Sequence, residues 1–245
     1  MRGNLCQPSD ETRQIDFNYL AARCHLPDVN WANVKIVLLE MEAIKSETQL
    51  HKKTLRIETF SDGVFCIAVT LLSLEIGVEV KTDATNTDLF HALINKWPIC
   101  LAYVISFVNV LLAWIGHHSL FKQLHKTDNS IMIINGGLLM LVALVPFPTK
   151  TLGLFLQTGA LKTAVIFYTA YFVLISLAFR LLWHAATRKK HLLVHGVADS
   201  QISRTTKNEN IGLICNTIIL AMAFLNPWIA LTLSFAMWVY WIGFA

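Results

Sequence analysis

The sequence predicts an all-α membrane protein with six transmembrane helices and both termini cytoplasmic. Composition points there first: 55% of its 245 residues are hydrophobic and only 15% are charged, against about 25% charged and 45–50% apolar in soluble domains. Mean hydropathy is +0.52. The second observation is that the apolar residues gather into six runs, most of them near the ~20 residues a spanning helix needs. The third is that the basic residues fall unequally into the segments between those runs.

Residues 1–52 are polar and mixed in charge, and Pro8 and Pro27 interrupt them. They carry no apolar h-region, so no cleavable signal peptide is expected. From 34 to 50, Val34, Val37, Leu38, Met41 and Ile44 recur at helical spacing with Glu40, Glu42, Lys45 and Glu47 between them. This stretch reads either as an amphipathic cytoplasmic helix or as a poorly ordered extension. Residues 1–52 are therefore expected to form an N-terminal extension, and residues 53–245 a six-helix transmembrane domain.

The six runs cover about 58–78, 97–116, 131–147, 164–186, 211–225 and 227–245. The third is expected to end at Pro146 and Pro148. The fifth and sixth are nearly continuous, and Asn226-Pro227 separates them, a turn signal whose first residue avoids the α region. The whole stretch from 211 is too long for one span at ~1.5 Å per residue.

Orientation follows from the lysines and arginines. Lys52, Lys53 and Arg56 precede the first run, Lys122 and Lys126 follow the second, and Arg188, Lys189, Lys190, Arg204 and Lys207 follow the fourth. The alternate loops hold only Lys81, Lys96, Lys150 and Lys162. The richer side is the N-terminal one, which the positive-inside rule makes cytoplasmic. Arg180, near the inner end of the fourth run, is expected to snorkel. The net charge of +4 belongs to these loops, and no aromatic–basic interleaving points to nucleic acid. Trp97, Trp114, Trp183, Trp228, Trp238 and Trp241 read mostly as interfacial belts.

Enzyme chemistry finds no purchase: there is no Ser/His/Asp triad, Gly-rich phosphate loop or HExxH. His117, His118 and His125 lie close together, but adjacent helical histidines point about 100° apart and no further ligand completes a zinc set. An interfacial or hydrogen-bonding role suits them better. Cys6, Cys24, Cys66, Cys100 and Cys215 form no CxxC pair, and the last three read as buried structural thiols. Few charges lie in mid-membrane and no broken repeat is visible, which weighs against a coupled transporter.

The first run carries the functional signal. Helical spacing places Ile67, Leu71 and Leu74 on one face with Thr70 beside them, and turns Ser61 and Asp62 elsewhere. An acidic residue at the head of a span faces protein or water, so Ser61 and Asp62 need partners on other helices. Ordinary helix packing with one tertiary hydrogen bond accounts for the same spacing. Glu75, near the outer end, reads as a solvated helix end or as an attractor of cations.

Arg56, Phe60, Ser61 and Asp62 match the RxxxFSD signature that opens the first helix of the transmembrane protein 175 family of potassium channels, and GVFCIAVTLLSLEI after it looks like that helix. His117, Asp128, Asn135 and Pro146-Phe147-Pro148-Thr149 are similar to the family's second and third helices. The resemblance covers about 53–245. It implies a prokaryotic, single-repeat potassium channel in the plasma membrane, a homotetramer with no cofactor or metal beyond permeant K⁺. The pore would be lined by the first helix, without a TVGYG filter, and this chain has none. Ile67 would then be the narrow ring, Leu71 and Leu74 further apolar rings, and Thr70 a hydroxyl for a partly hydrated ion. Arg56, Phe60, Ser61 and Asp62 would be scaffolding, tied to His117 or Asn135. Modest K⁺ over Na⁺ selectivity is the expectation, and a secondary transporter or proton-permeable cation carrier is the alternative.

Overall fold

The computed structural model describes residues 31–77, 85–194 and 198–244. Cys6, Cys24, Pro8 and Pro27 lie outside them. The chain divides into two units, 1–49 and 50–245. The described residues are helical, with no strand longer than one isolated bridge between Leu124 and Leu193.

Helix α1 runs Trp31–Leu74, and the segment 34–50 is helical within it. A short α2, Asn86–Asn95, was not anticipated. It starts at a reciprocal cap: the Thr85 hydroxyl accepts the Asp88 N–H, and the Asp88 carboxylate accepts the Thr85 N–H at 2.9 Å, satisfying two donors that the first turn leaves orphaned. Helix α3 is Trp97–Phe121, α4 Asn129–Ala143, α5 Pro146–Phe155, α6 Leu161–Arg188, α7 Asp199–Leu225 and α8 Pro227–Phe244.

Pro146 and Pro148 correct the expected end of the third run. Both sit in the first turn of α5, where the missing N–H is no loss and the fixed φ suits a helix start. The apolar stretch thus continues past a break at 144–145 to make Asn129–Phe155, 27 residues long. By contrast, Asn226-Pro227 separates α7 from α8 as expected. Asn226 is extended at φ −148°, and its side-chain oxygen accepts the Trp228 N–H at 2.9 Å.

Among the described residues five helices are long and apolar enough to cross a membrane: Thr54–Leu74, Trp97–Phe121, Asn129–Phe155, Leu161–Arg188 and Asp199–Leu225. The described apolar part of α8, Pro227–Val239, is shorter. Helix α6 supplies much of the core through Val165, Tyr168, Leu182 and Trp183. Where α3 meets α5, a β-carbon on Gly153 would lie 3.0 Å from the Ile99 Cα, so glycine lets the two helices approach.

Polar side chains inside the bundle pair with one another, as the absence of water there requires. Trp183 donates to Thr206 at 2.8 Å and Trp238 to Asn109 at 3.1 Å. Both indoles are buried, so the belt reading fails for them: a buried indole N–H needs an acceptor and finds one in the next helix. Arg180 donates to Asn210 at 2.7 Å, so it is tied to α7 and does not simply snorkel. The thiols need correcting as well. Cys66 and Cys100 are exposed and Cys215 half-buried, because each sits on a helix face that the same chain leaves uncovered.

Candidate functional site

Helix α1 is divided lengthwise. Thr54, Ser61, Phe65, Ala68 and Leu72 are buried, separated by steps of three, four and seven residues that keep them on one side of a helix with ~3.6 residues per turn. The opposite side stays uncovered: Ile67 is 59% exposed, Leu71 38% and Leu74 75%, and Gly63, Cys66 and Thr70 are exposed with them. This apolar stripe faces away from its own chain.

The buried side is held by a chain of hydrogen bonds through three helices. Ser61 Oγ donates to the Ile57 carbonyl at 2.8 Å and accepts from Asn135 Nδ2 of α4 at 3.0 Å. Asn135 Oδ1 pairs with His117 Nε2 of α3 at 2.9 Å. An amide oxygen only accepts, so Nε2 is the donor. All three side chains are buried. His117 is further fixed by aromatic neighbours, with Phe65 of α1 at 5.4 Å and Phe121 at 4.3 Å between ring centroids. Its Nδ1 is buried without a hydrogen-bond partner among the described residues.

Asp62 is not part of this chain. Its Oδ1 accepts from Trp114 Nε1 of α3 at 2.8 Å. The Trp114 ring stacks on His118 at 6.0 Å, and His118 Nδ1 pairs with Glu58 Oε1 at 2.9 Å. A second α1–α3 seam thus runs beside the buried one. Trp114 was missed as a partner because it reads as an interfacial residue; its signal was the need of Asp62 for a donor. At the other end of the span, Glu75 is ion-paired with Lys150 at 2.9 Å, tying α1 to α5. Arg56 and Phe60 are exposed and stand outside these seams. Among the described residues no three His, Cys, Asp or Glu side chains converge as a metal set, and two of the three histidines weighed for one are occupied as just described.

Thr70 lies on the uncovered stripe. Its hydroxyl donates to the Ile67 carbonyl at 2.8 Å, so the hydrogen is turned back into the helix and the oxygen's two lone pairs are left as acceptors.

At one end of the bundle, Lys189 bonds the Asp128 carboxylate, which also caps α4 by accepting the Ile131 N–H at 2.9 Å. The Lys189 contact first, and the cap second, hold the Asp128 carboxyl below its ordinary range.

Known proteins resemble this chain in sequence and fold. The profile of the family described as endosomal/lysosomal potassium channel TMEM175 matches residues 56–146, the stretch that contains both seams. A potassium channel of Chamaesiphon minutus is 34% identical over 79% of this chain and 96% of its own length. A potassium channel of Streptomyces collinus is 41% identical over 62% of this chain and 73% of its own. The crystal structure of a lysosomal potassium-selective channel TMEM175 homolog from Chamaesiphon minutus superposes with a TM-score of 0.70, covering 78% of this chain and 97% of that one. With its signature helix, its bundle and nearly the whole length of a relative accounted for, the chain belongs to the TMEM175 family.

Proposed function

We propose that four copies of this chain form a passive potassium channel in the plasma membrane, with α1 of each copy lining a central pore. The observation that carries this reading is the division of α1: an apolar stripe of Ile67, Leu71 and Leu74 stays uncovered while hydrogen bonds hold the opposite face of the same helix. Two seams and an ion pair fix the rotation of α1 about its axis, and a pore helix needs that rotation fixed. Family membership supports the channel class and a non-enzymatic role.

In this reading each copy spans the membrane six times, α8 being the sixth, with both termini cytoplasmic and residues 1–52 a cytoplasmic extension. The Ile67 ring is the narrowest point. Apolar side chains offer no ligand to replace hydration, so such a ring gates by width and dewetting. Potassium sheds water more readily than sodium, which gives modest selectivity without a carbonyl filter. The Thr70 oxygen, its hydrogen turned to the Ile67 carbonyl, meets a partly hydrated cation one turn along. Ser61, Asp62, His117 and Asn135 line no part of the path. Ser61, His117, Asn135 and Asp62 position the helix.

Purified protein in a planar bilayer under a K⁺/Na⁺ gradient tests this. Ohmic single-channel currents reversing toward the potassium potential are the expected result. Saturating flux that requires a second ion would point to a coupled carrier.

A further inference from the structure

A cavity of about 590 Å³ lies inside one chain between α3, α6, α7 and α8, and no residue of α1 lines it. Its size is in the range of ligand sites, about 300–1,000 Å³. Its two ends differ in chemistry. At one end stand Lys122, just past the end of α3, and Arg204, in the second turn of α7. Neither forms an ion pair among the described residues. The other end is walled by Leu112, Phe172, Leu213 and Met237 and reaches Asn109, which lies thirteen residues along α3 from Lys122, about 20 Å at 1.5 Å per residue.

The polar groups at the deep end are already matched. Asn109 donates to Tyr168 and accepts from Trp238, and Asn216 donates to Ser176 at 2.7 Å. An apolar chain can lie beside them without orphaning them. Glu209, also on the wall, lies five residues from Arg204 along α7, about 7.5 Å of rise, and makes no hydrogen bond among the described residues, its charged neighbour being Arg180 of α6.

We propose that this cavity holds one glycerophospholipid from the leaflet beside the 122–128 loop. Lys122 and Arg204 take the phosphate, an acyl chain fills the apolar end, and Glu209 accepts from the headgroup's ammonium or hydroxyl. Charge complementarity selects this occupant: two unpaired cations at the mouth call for an anion, and ~20 Å of cavity reaching to an apolar end calls for a tail.

The test is native mass spectrometry of the purified, delipidated oligomer titrated with phosphatidylethanolamine and phosphatidylglycerol. One lipid per chain is expected, with inorganic phosphate at millimolar concentration unable to displace it. Lys122→Gln with Arg204→Gln should weaken retention at least about tenfold, and Leu213→Trp, which occupies the apolar end without changing charge, should do the same. Displacement by inorganic phosphate would reduce the site to a plain anion site. Wild-type retention in the charge variant would overturn the proposal. Both exchanged side chains are exposed, so that variant reads out even if Leu213→Trp fails to fold. The readout is binding, so it stands or falls apart from conduction.

Discussion

Ser61 of α1 accepts a hydrogen bond from the side-chain amide of Asn135 in α4 at 3.0 Å, and this contact ties the buried side of α1 to α4 and, through Asn135, to His117 of α3. Asn135→Leu should therefore harm more than Ser61→Ala. The leucine leaves His117 Nε2 with no acceptor inside the bundle, and a buried unpaired group costs about 1–3 kcal/mol. Ser61→Ala removes the acceptor for Asn135 and a donor to the Ile57 carbonyl, which keeps its bond within the helix, and leaves the Asn135–His117 pair standing. Thermal unfolding in detergent should rank wild type, Ser61→Ala and Asn135→Leu in falling order. A double-mutant cycle between Ser61→Ala and Asn135→Ala should return about 0.5–2 kcal/mol of coupling, the span of interhelical hydrogen bonds in membranes. Zero coupling would show that the contact does not orient α1.

Trp114→Phe isolates the second seam. It keeps the ring beside His118 but removes the N–H that bonds Asp62. Asp62 is then an unpaired carboxylate at the head of a span, a position that is expensive without a partner. Oligomer yield by size exclusion should fall in Trp114→Phe and in Asp62→Ala, while His118→Phe, which spares the Asp62 bond, should do less. Normal yield and conductance in Asp62→Ala would refute the scaffolding role.

Asp128 gives a pH signature. Its folded carboxyl titrates below the ordinary aspartate value of 3.8 because Lys189 and the α4 cap favour the charged form. The unfolded chain therefore binds the proton first as pH falls, and stability rises with pH wherever the unfolded state holds more protons. The contribution is complete above about pH 5 and is lost as pH drops through 3.8 and below. Asp128→Asn keeps a capping side chain but loses the ion pair. At neutral pH it should be less stable by about 0.2–1 kcal/mol, the range for a solvent-exposed pair. Its stability should also vary less with pH between 5 and 3, measured as the thermal midpoint.

The sequence made the helices, the Asn226-Pro227 break and the apolar stripe of α1 legible, because each is a local matter of composition or period. It named Ser61, Asp62, His117 and Asn135 and tied the signature residues to His117 or Asn135, but did not say which of them meets which: that depends on helix rotation. Trp114 was hidden for that reason, since an indole near a helix end reads the same whether it faces lipid or Asp62. Pro146 and Pro148 misled because proline ends one helix and begins another with equal ease. Helix α2 was legible and overlooked, its cap written in Thr85 and Asp88. Burial of Cys66 and Cys100 was expected from apolar surroundings, yet an apolar run in a membrane protein has lipid or a second copy as further places to point.

The sharpest prediction sets the two faces of α1 against each other. Ile67 and Leu72 lie five residues apart, the first 59% exposed and the second fully buried. Asparagine at each position adds the same polarity to the same helix, so differences report the face alone. Leu72→Asn places an amide among packed core residues without a partner and removes apolar contact, changes that together cost about 2–5 kcal/mol, and it should lower the yield of folded protein. Ile67→Asn leaves the core intact, so yield and thermal midpoint should stay near wild type. If four copies of Ile67 close the pore, that substitution wets the narrow ring, and bi-ionic reversal potentials should shift toward equal K⁺ and Na⁺ permeability. If Ile67 faces lipid, the reversal potential has no reason to move, and an unchanged value in well-folded Ile67→Asn would remove α1 from the conduction path.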